Sequence, residues 1–215
     1  MLKVYFISGM GADRRIFRHI RLPANFEADY LDWIPFKKGE ELKDYAVRLA
    51  EGIAPGEPFI LIGLSLGGIM AVEIAKRRVP VCTILLSSVP LSGQLPSYFK
   101  IARWLPLLDL VPLSFFKSSA ILKRMFTLES KEDKALILQM IREADASFIR
   151  WAMGAVVGWR NKVMPVPLWH LHGTRDEIFP IWLTRPTHRI SGGGHLLVLT
   201  HAREVNTLLG EILPI

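Results

Sequence analysis

Gly63-Leu64-Ser65-Leu66-Gly67 sets a serine between two glycines, after the apolar run Phe59–Leu64 and before a second stretch that is almost wholly apolar or glycine. A serine hydroxyl attacks a carbonyl only when it projects from a strained turn and has a base beside it. Small flanking residues let a strand and a helix pass close together. A helix opening at Leu66 would aim its first N–H groups and positive dipole end at the reacting centre. The pattern therefore predicts a sharp strand-to-helix turn with Ser65 at its tip. The alternative is an ordinary capping serine in a glycine-rich turn.

Among the six histidines, His195 is the best-placed base. It follows Ser191-Gly-Gly-Gly194, where flexible backbone just past the last strand can swing an imidazole over the sheet edge. His188 starts that strand, about 23 Å away at about 3.3 Å per residue. His170 falls inside the preceding strand and reads as a core residue. His172, closing that strand, and His201, opening the final helix, are the second choices, and His19 is expected at the surface. The carboxylate that orients the base should follow another strand at the same edge. Asp176, in His172-Gly-Thr-Arg-Asp176-Glu-Ile-Phe, meets that requirement. Glu177 competes with it, and an ion pair with Arg175 is its structural alternative. Acyl transfer also needs oxyanion donors. The Leu66 N–H is one, and the Met10 N–H in Ser8-Gly-Met-Gly-Ala-Asp13 is the candidate for the other.

The elements that must position these residues follow from the hydrophobic pattern. Apolar β-rich runs alternate with helical ones, the signature of a mainly parallel sheet covered on both faces. Strands are expected at Lys3–Ser8, Ala28–Trp33, Phe59–Leu64, Val81–Ser87, Leu168–His172 and Thr187–Ile190. Helices are expected over Glu40–Ile53, over Leu66–Arg78 and around Val205–Ile212, where apolar residues recur at helical spacing. Placing strand three beside strand one would open a crevice between them, where open α/β sheets bind ligands.

From Val89 to Pro167 the alternation breaks. Helical patterns replace strands, with a capping box at Ser130–Asp133 and a stripe of Phe148, Trp151, Ala152, Ala155, Val156 and Trp159 that reads as packing rather than ligand contact. The expected organisation is a core of residues 1–88 and 168–215 with a helical lid at 89–167.

Half of the 215 residues are apolar and one is cysteine, so the chain supports a sizeable core and no internal disulfide. One cysteine and no signal-like start make the cytoplasm the expected location. The apolar run from Trp104 to Phe116 is broken by Pro106, Asp109 and Pro112 and is too short to span a bilayer. The net charge of +7 comes without a basic run interleaved with aromatics, so no nucleic-acid partner is expected. Between residues 89 and 167 there are eleven basic against six acidic residues, which leaves an anionic substrate such as an acyl-CoA, or a lipid surface, as a lesser alternative.

The sequence resembles the α/β-hydrolase superfamily, and its compact bacterial members most. Gly-Leu-Ser-Leu-Gly-Gly, His-Gly-Thr-Arg-Asp and Gly-Gly-Gly-His carry the likeness, in the order Ser65, Asp176, His195 that distinguishes this superfamily from the trypsin and subtilisin types. It implies the α/β-hydrolase fold: about six mainly parallel strands flanked by helices, with residues 89–167 as the lid. Ser8-Gly9 stands where many relatives have His-Gly. The chain starts at what would be the third strand of the full fold, and the link from Asp176 to the last strand is short.

The expected activity is hydrolysis of a small or medium carboxylic ester or thioester, with Ser65, His195 and Asp176 as the triad, Met10 and Leu66 as oxyanion donors, and no metal or organic cofactor. Two rivals differ in class. One is a carbon–carbon bond hydrolase or acyltransferase on the same triad. The other is a non-catalytic ligand receptor on this fold.

Overall fold

A computed structural model of the chain describes residues 1–102 and 130–213. The apolar run at 104–116 and the charges at 103, 109, 117, 123, 124 and 129 lie outside the described residues.

The sheet has six strands in the order β2-β1-β3-β4-β5-β6, every neighbouring pair parallel. They are β1 (Leu2–Ile7), β2 (Phe26–Tyr30), β3 (Phe59–Leu64), β4 (Cys82–Leu86), β5 (Leu168–Gly173) and β6 (His188–Ile190). The chain winds outward from β1 to β2, then returns to lay β3 on the other side of β1, so the expected crevice exists.

All six residues of β3 and all five of β4 are buried, as their unbroken apolar runs require of strands covered on both sides. Tyr5, Ile7, Leu61 and Leu85 face one layer, formed by α1 (Leu42–Leu49), α2 (Leu66–Ala75) and α5 (Ala146–Gly158). Val4, Phe6, Ile60, Ile62 and Ile84 face the other, which includes α4 (Lys131–Glu143), α6 (Leu197–Thr200) and α7 (Ala202–Ile212). A short helix, α3 (Ser97–Ala102), follows β4.

Strand two ends earlier than the Ala28–Trp33 expectation. Leu31 N donates to Phe6 O at 2.9 Å, and the register stops at Phe6↔Tyr30. Trp33 leaves the sheet, and its indole N–H points to the carbonyls of Gly9 and Ala12 at 3.3 and 3.2 Å. The aromatic character that suggested a strand serves the loop after β1 instead. Thr187 likewise lies just outside β6, where its hydroxyl accepts from His170 N at 2.8 Å and donates to His170 O at 3.2 Å.

Between β4 and β5 the described residues form α3, α4 and α5 and no strand. Their flanks are tied together: Asn161 Nδ2 donates to Pro90 O, and Asn161 N donates to Ser92 Oγ, at 2.7 and 3.0 Å. Ser130 caps α4 by accepting from Asp133 N at 3.2 Å. The Asp133 carboxylate does not complete the box; it faces His19 Nε2 at 3.1 Å and Arg18 at 3.7 Å. His19 is therefore half-buried and paired, not a free surface residue. The aromatic stripe of α5 packs as expected, with Phe148 5.2 Å from Trp33 and Trp151 4.6 Å from Tyr45, measured between ring centres.

Candidate active site

Ser65 lies between the end of β3 and the start of α2 with φ 53° and ψ −117°, left-handed backbone that a residue with a Cβ adopts only under constraint. The constraint is local and hydrogen-bonded. Ser65 N donates to Leu86 O at 2.9 Å, and Ser65 O accepts from Gly68 N, Ile69 N and the Ser88 hydroxyl, the last at 2.6 Å. Gly67 is required because a Cβ there would stand 2.1 Å from the Ile7 carbonyl oxygen, and Gly63 because a Cβ would stand 2.3 Å from Gly67 O. These contacts press strand, turn and helix together and leave the serine side chain projecting.

Asp176 and His195 leave the sheet from adjacent strands, and their loops interlock. Arg175 N donates to Gly193 O at 2.8 Å, Thr174 N to Ile190 O at 2.9 Å, and Gly192 N to Thr174 Oγ1 at 2.9 Å. A Cβ on Gly173 would stand 2.1 Å from Gly193 O, so the glycine run after β6 lies directly against the end of β5.

The three side chains meet. His195 Nε2 lies 2.9 Å from Ser65 Oγ, and His195 Nδ1 lies 2.9 Å from Asp176 Oδ2. Asp176 Oδ1 also accepts from the N–H groups of Ile178 and Phe179, both at 2.9 Å. Burial alone would raise the Asp176 carboxyl. The charge of and hydrogen bond with His195, then His172 and the Phe179 N–H, outweigh burial and hold it below the ordinary value. A carboxylate so held accepts from Nδ1–H and leaves Nε2 as the lone pair facing the serine hydroxyl.

Glu177 and Arg175 are exposed, and Asp176 pairs with histidine rather than with Arg175. His172, a second choice as base, is fully buried and engaged elsewhere: its Nε2–H donates to the Phe179 carbonyl at 2.7 Å, and Nε2 lies 3.5 Å from Asp176 Oδ2. That bond makes His172 Nδ1 the acceptor of the His170 Nε2–H, 3.1 Å away. Burial above all pushes His170 down to about 3. Burial lowers His172 as well. The two are neutral structural groups that brace the 176–179 turn from below. Their hydrogen bonds run to the Phe179 carbonyl and to one another, so residue types and spacing alone do not reveal this support. The same holds for Ser88. His201, the other second choice, precedes α7, and its Nδ1 lies 2.8 Å from Thr200 Oγ1.

Leu66 is the first residue of α2, so its N–H has no carbonyl one turn behind it in the helix. Met10 follows Gly9, which is close enough that a Cβ added there would lie 3.5 Å from Ser65 Cβ. The loop is closed by Ser8, whose hydroxyl donates to Ala12 O at 2.8 Å, and by Ala12 N donating to Gly9 O at 3.1 Å. Ser8 thus shapes the loop internally. Met10, Leu66, Ser65 and His195 all line one cavity of about 350 Å³. Among the described residues no three His, Cys, Asp or Glu side chains cluster to hold a metal ion, and no helix is long and apolar enough to cross a membrane.

Residues 4–208 match the alpha/beta hydrolase family. Among solved structures, MenH from S. aureus shares 19% identity with a TM-score of 0.76, covering 97% of this chain and 91% of its own. A thermophilic esterase from Thermogutta terrifontis gives 19% and 0.73, covering 97% and 88%. A bromoperoxidase from Bacillus anthracis gives 17% and 0.73, covering 97% and 90%. No curated protein sequence matches the chain. At such identities the structures speak for the fold, while the match over nearly the whole sequence shows the lineage: the chain belongs to the alpha/beta hydrolase family.

Proposed function

We propose that this hydrolase cleaves a carboxylic ester or thioester through an acyl-enzyme on Ser65, with His195 as base and Asp176 as its orienting carboxylate. The observation that carries the reading is the unbroken chain Ser65 Oγ, His195 Nε2, His195 Nδ1, Asp176 Oδ2, with 2.9 Å at each hydrogen bond, opening on a cavity.

In the proposed reaction His195 Nε2 takes the Ser65 proton as Oγ bonds to the carbonyl carbon. The N–H groups of Met10 and Leu66 hold the oxyanion, and Asp176 stabilises the imidazolium. Collapse of the tetrahedral adduct breaks the bond to the alcohol or thiol, which leaves with the proton from His195. Water, deprotonated by the same imidazole, then releases the acid and restores the serine. Residues 89–167 act as the lid in this reading, because α4 and α5 supply part of the cavity wall. The substrate is a small molecule.

A panel of p-nitrophenyl esters and acyl thioesters tests this. Turnover with a pre-steady-state burst of one leaving group per chain, abolished in Ser65→Ala, is the expected result. A burst retained by Ser65→Ala would overturn the assignment.

A further inference from the structure

The cavity beside Ser65 carries information about the acid half of the substrate. Its described lining holds two polar side chains, Ser65 and His195, and every other side chain is apolar. Met10 and Ile69 belong to the loop and elbow, Ile137 and Met140 to α4, Met153 and Val156 to α5. None of the charged residues of the described helices α4 and α5 is among the lining residues. Lys131, Lys134 and Arg142 are exposed on α4, Asp133 faces Arg18 and His19, and Glu143 pairs with Arg15 at 2.5 Å. The basic excess of the lid sequence therefore does not reach this cavity through the described residues.

From this wall we infer that the acyl group taken by the enzyme is uncharged, aliphatic and of medium length, and that a carboxylate at its far end is refused; the inference rests on the serine-hydrolase reading of the same site. A cavity of 350 Å³, at roughly 30 Å³ for each water-sized unit, holds about a dozen non-hydrogen atoms. That corresponds to an octanoyl-sized chain with its ester group. Each methylene moved from water onto this wall strengthens transition-state binding about four-fold until the space is filled. A terminal carboxylate, away from Ser65, His195 and the oxyanion N–H groups, would lose its water and meet only apolar side chains among the described lining residues.

The experiment uses p-nitrophenyl esters sharing one leaving group: acetyl, butyryl, hexanoyl, octanoyl and the suberoyl half-ester, which carries a carboxylate in place of the terminal methyl of octanoyl. The expected result is kcat/KM rising about tenfold or more with every two carbons toward octanoyl, with suberoyl at least 100-fold below octanoyl. In Met153→Arg, at a half-buried position on α5 that lines the cavity, the suberoyl deficit shrinks at least tenfold. A flat or acetyl-favouring profile, or suberoyl within threefold of octanoyl in the parent enzyme, overturns this inference while the hydrolase reading stands. No turnover of any ester together with no covalent labelling of Ser65 overturns both.

Discussion

The backbone at Ser65 yields a prediction that separates folding from chemistry. Ser65→Ala and Ser65→Gly both remove the hydroxyl and both lose the 2.9 Å contact with His195, so they share every consequence of that loss. They differ in one respect: alanine keeps a Cβ at φ 53° and glycine does not. A residue with a Cβ held in such a sparsely populated region costs about 1–3 kcal/mol. Glycine brings back about 0.5–1 kcal/mol through the greater freedom of the unfolded chain. The difference leaves Ser65→Gly more stable than Ser65→Ala by about 1 kcal/mol, or about 2–4 °C in Tm for a chain of this size. Urea unfolding followed by tryptophan fluorescence, at equal m-values, measures it. Glycine no more stable than alanine would show that the turn is relaxed and that the hydrogen bonds to Leu86 and Ser88 do not enforce strain.

Other consequences follow from the same contacts. Asp176→Asn keeps an acceptor for Ile178 N and Phe179 N but presents an amide N–H to His195 Nδ1, which forces the proton onto Nε2. Ester hydrolysis should fall about 10⁴-fold with the fold intact, and a loss under tenfold would argue against Asp176 as the orienting acid. Gly67→Ala puts a Cβ 2.1 Å from Ile7 O, whereas Gly154 in α5 has nothing within 4 Å of its added Cβ. The first should cost over ~3 kcal/mol or abolish soluble expression. Gly154→Ala should gain about 0.5–1 kcal/mol; equal effects at both sites would discredit the close approach. The pH dependence has a definite sign. His170, held near 3 by burial, takes up its proton far more readily when unfolded, so its contribution is full above about pH 6.5 and is lost as pH falls toward 3. His172 acts in the same direction. Stability should drop by more than ~1 kcal/mol per pH unit between pH 6 and 4, and the slope should be shallower in His170→Leu. An unchanged slope would assign acid sensitivity to other groups.

Much of this site was legible because each part leaves a mark on local sequence. The unbroken runs Phe59–Leu64 and Val81–Ser87 read as strands buried on both faces, and the glycines around Ser65 and before His195 mark places where backbones nearly touch. Strand two was less legible: Trp33 resembles a strand residue, but its indole N–H points to carbonyls of the loop after β1, a tertiary choice that propensity does not encode. His19 looked free because its partner, Asp133, is more than a hundred residues away in the chain. His172 was recognisable as a residue near the edge, yet its bond to the Phe179 carbonyl is a side-chain-to-backbone contact with no motif. The contents of the cavity wall were opaque for a related reason. The charged residues between 89 and 167 can be counted from sequence, whereas helix orientation decides which face they occupy.

The most direct measurement is covalent trapping. The protein is incubated with an alkyl fluorophosphonate, and the adduct is weighed on the intact chain and mapped by peptide mass spectrometry. The account predicts one phosphonyl group per chain, carried on Ser65, with labelling at least 100-fold slower in His195→Ala of unchanged circular dichroism. A folded protein that stays unlabelled, or that carries the group on another residue, would contradict the claim that Ser65 is an activated nucleophile.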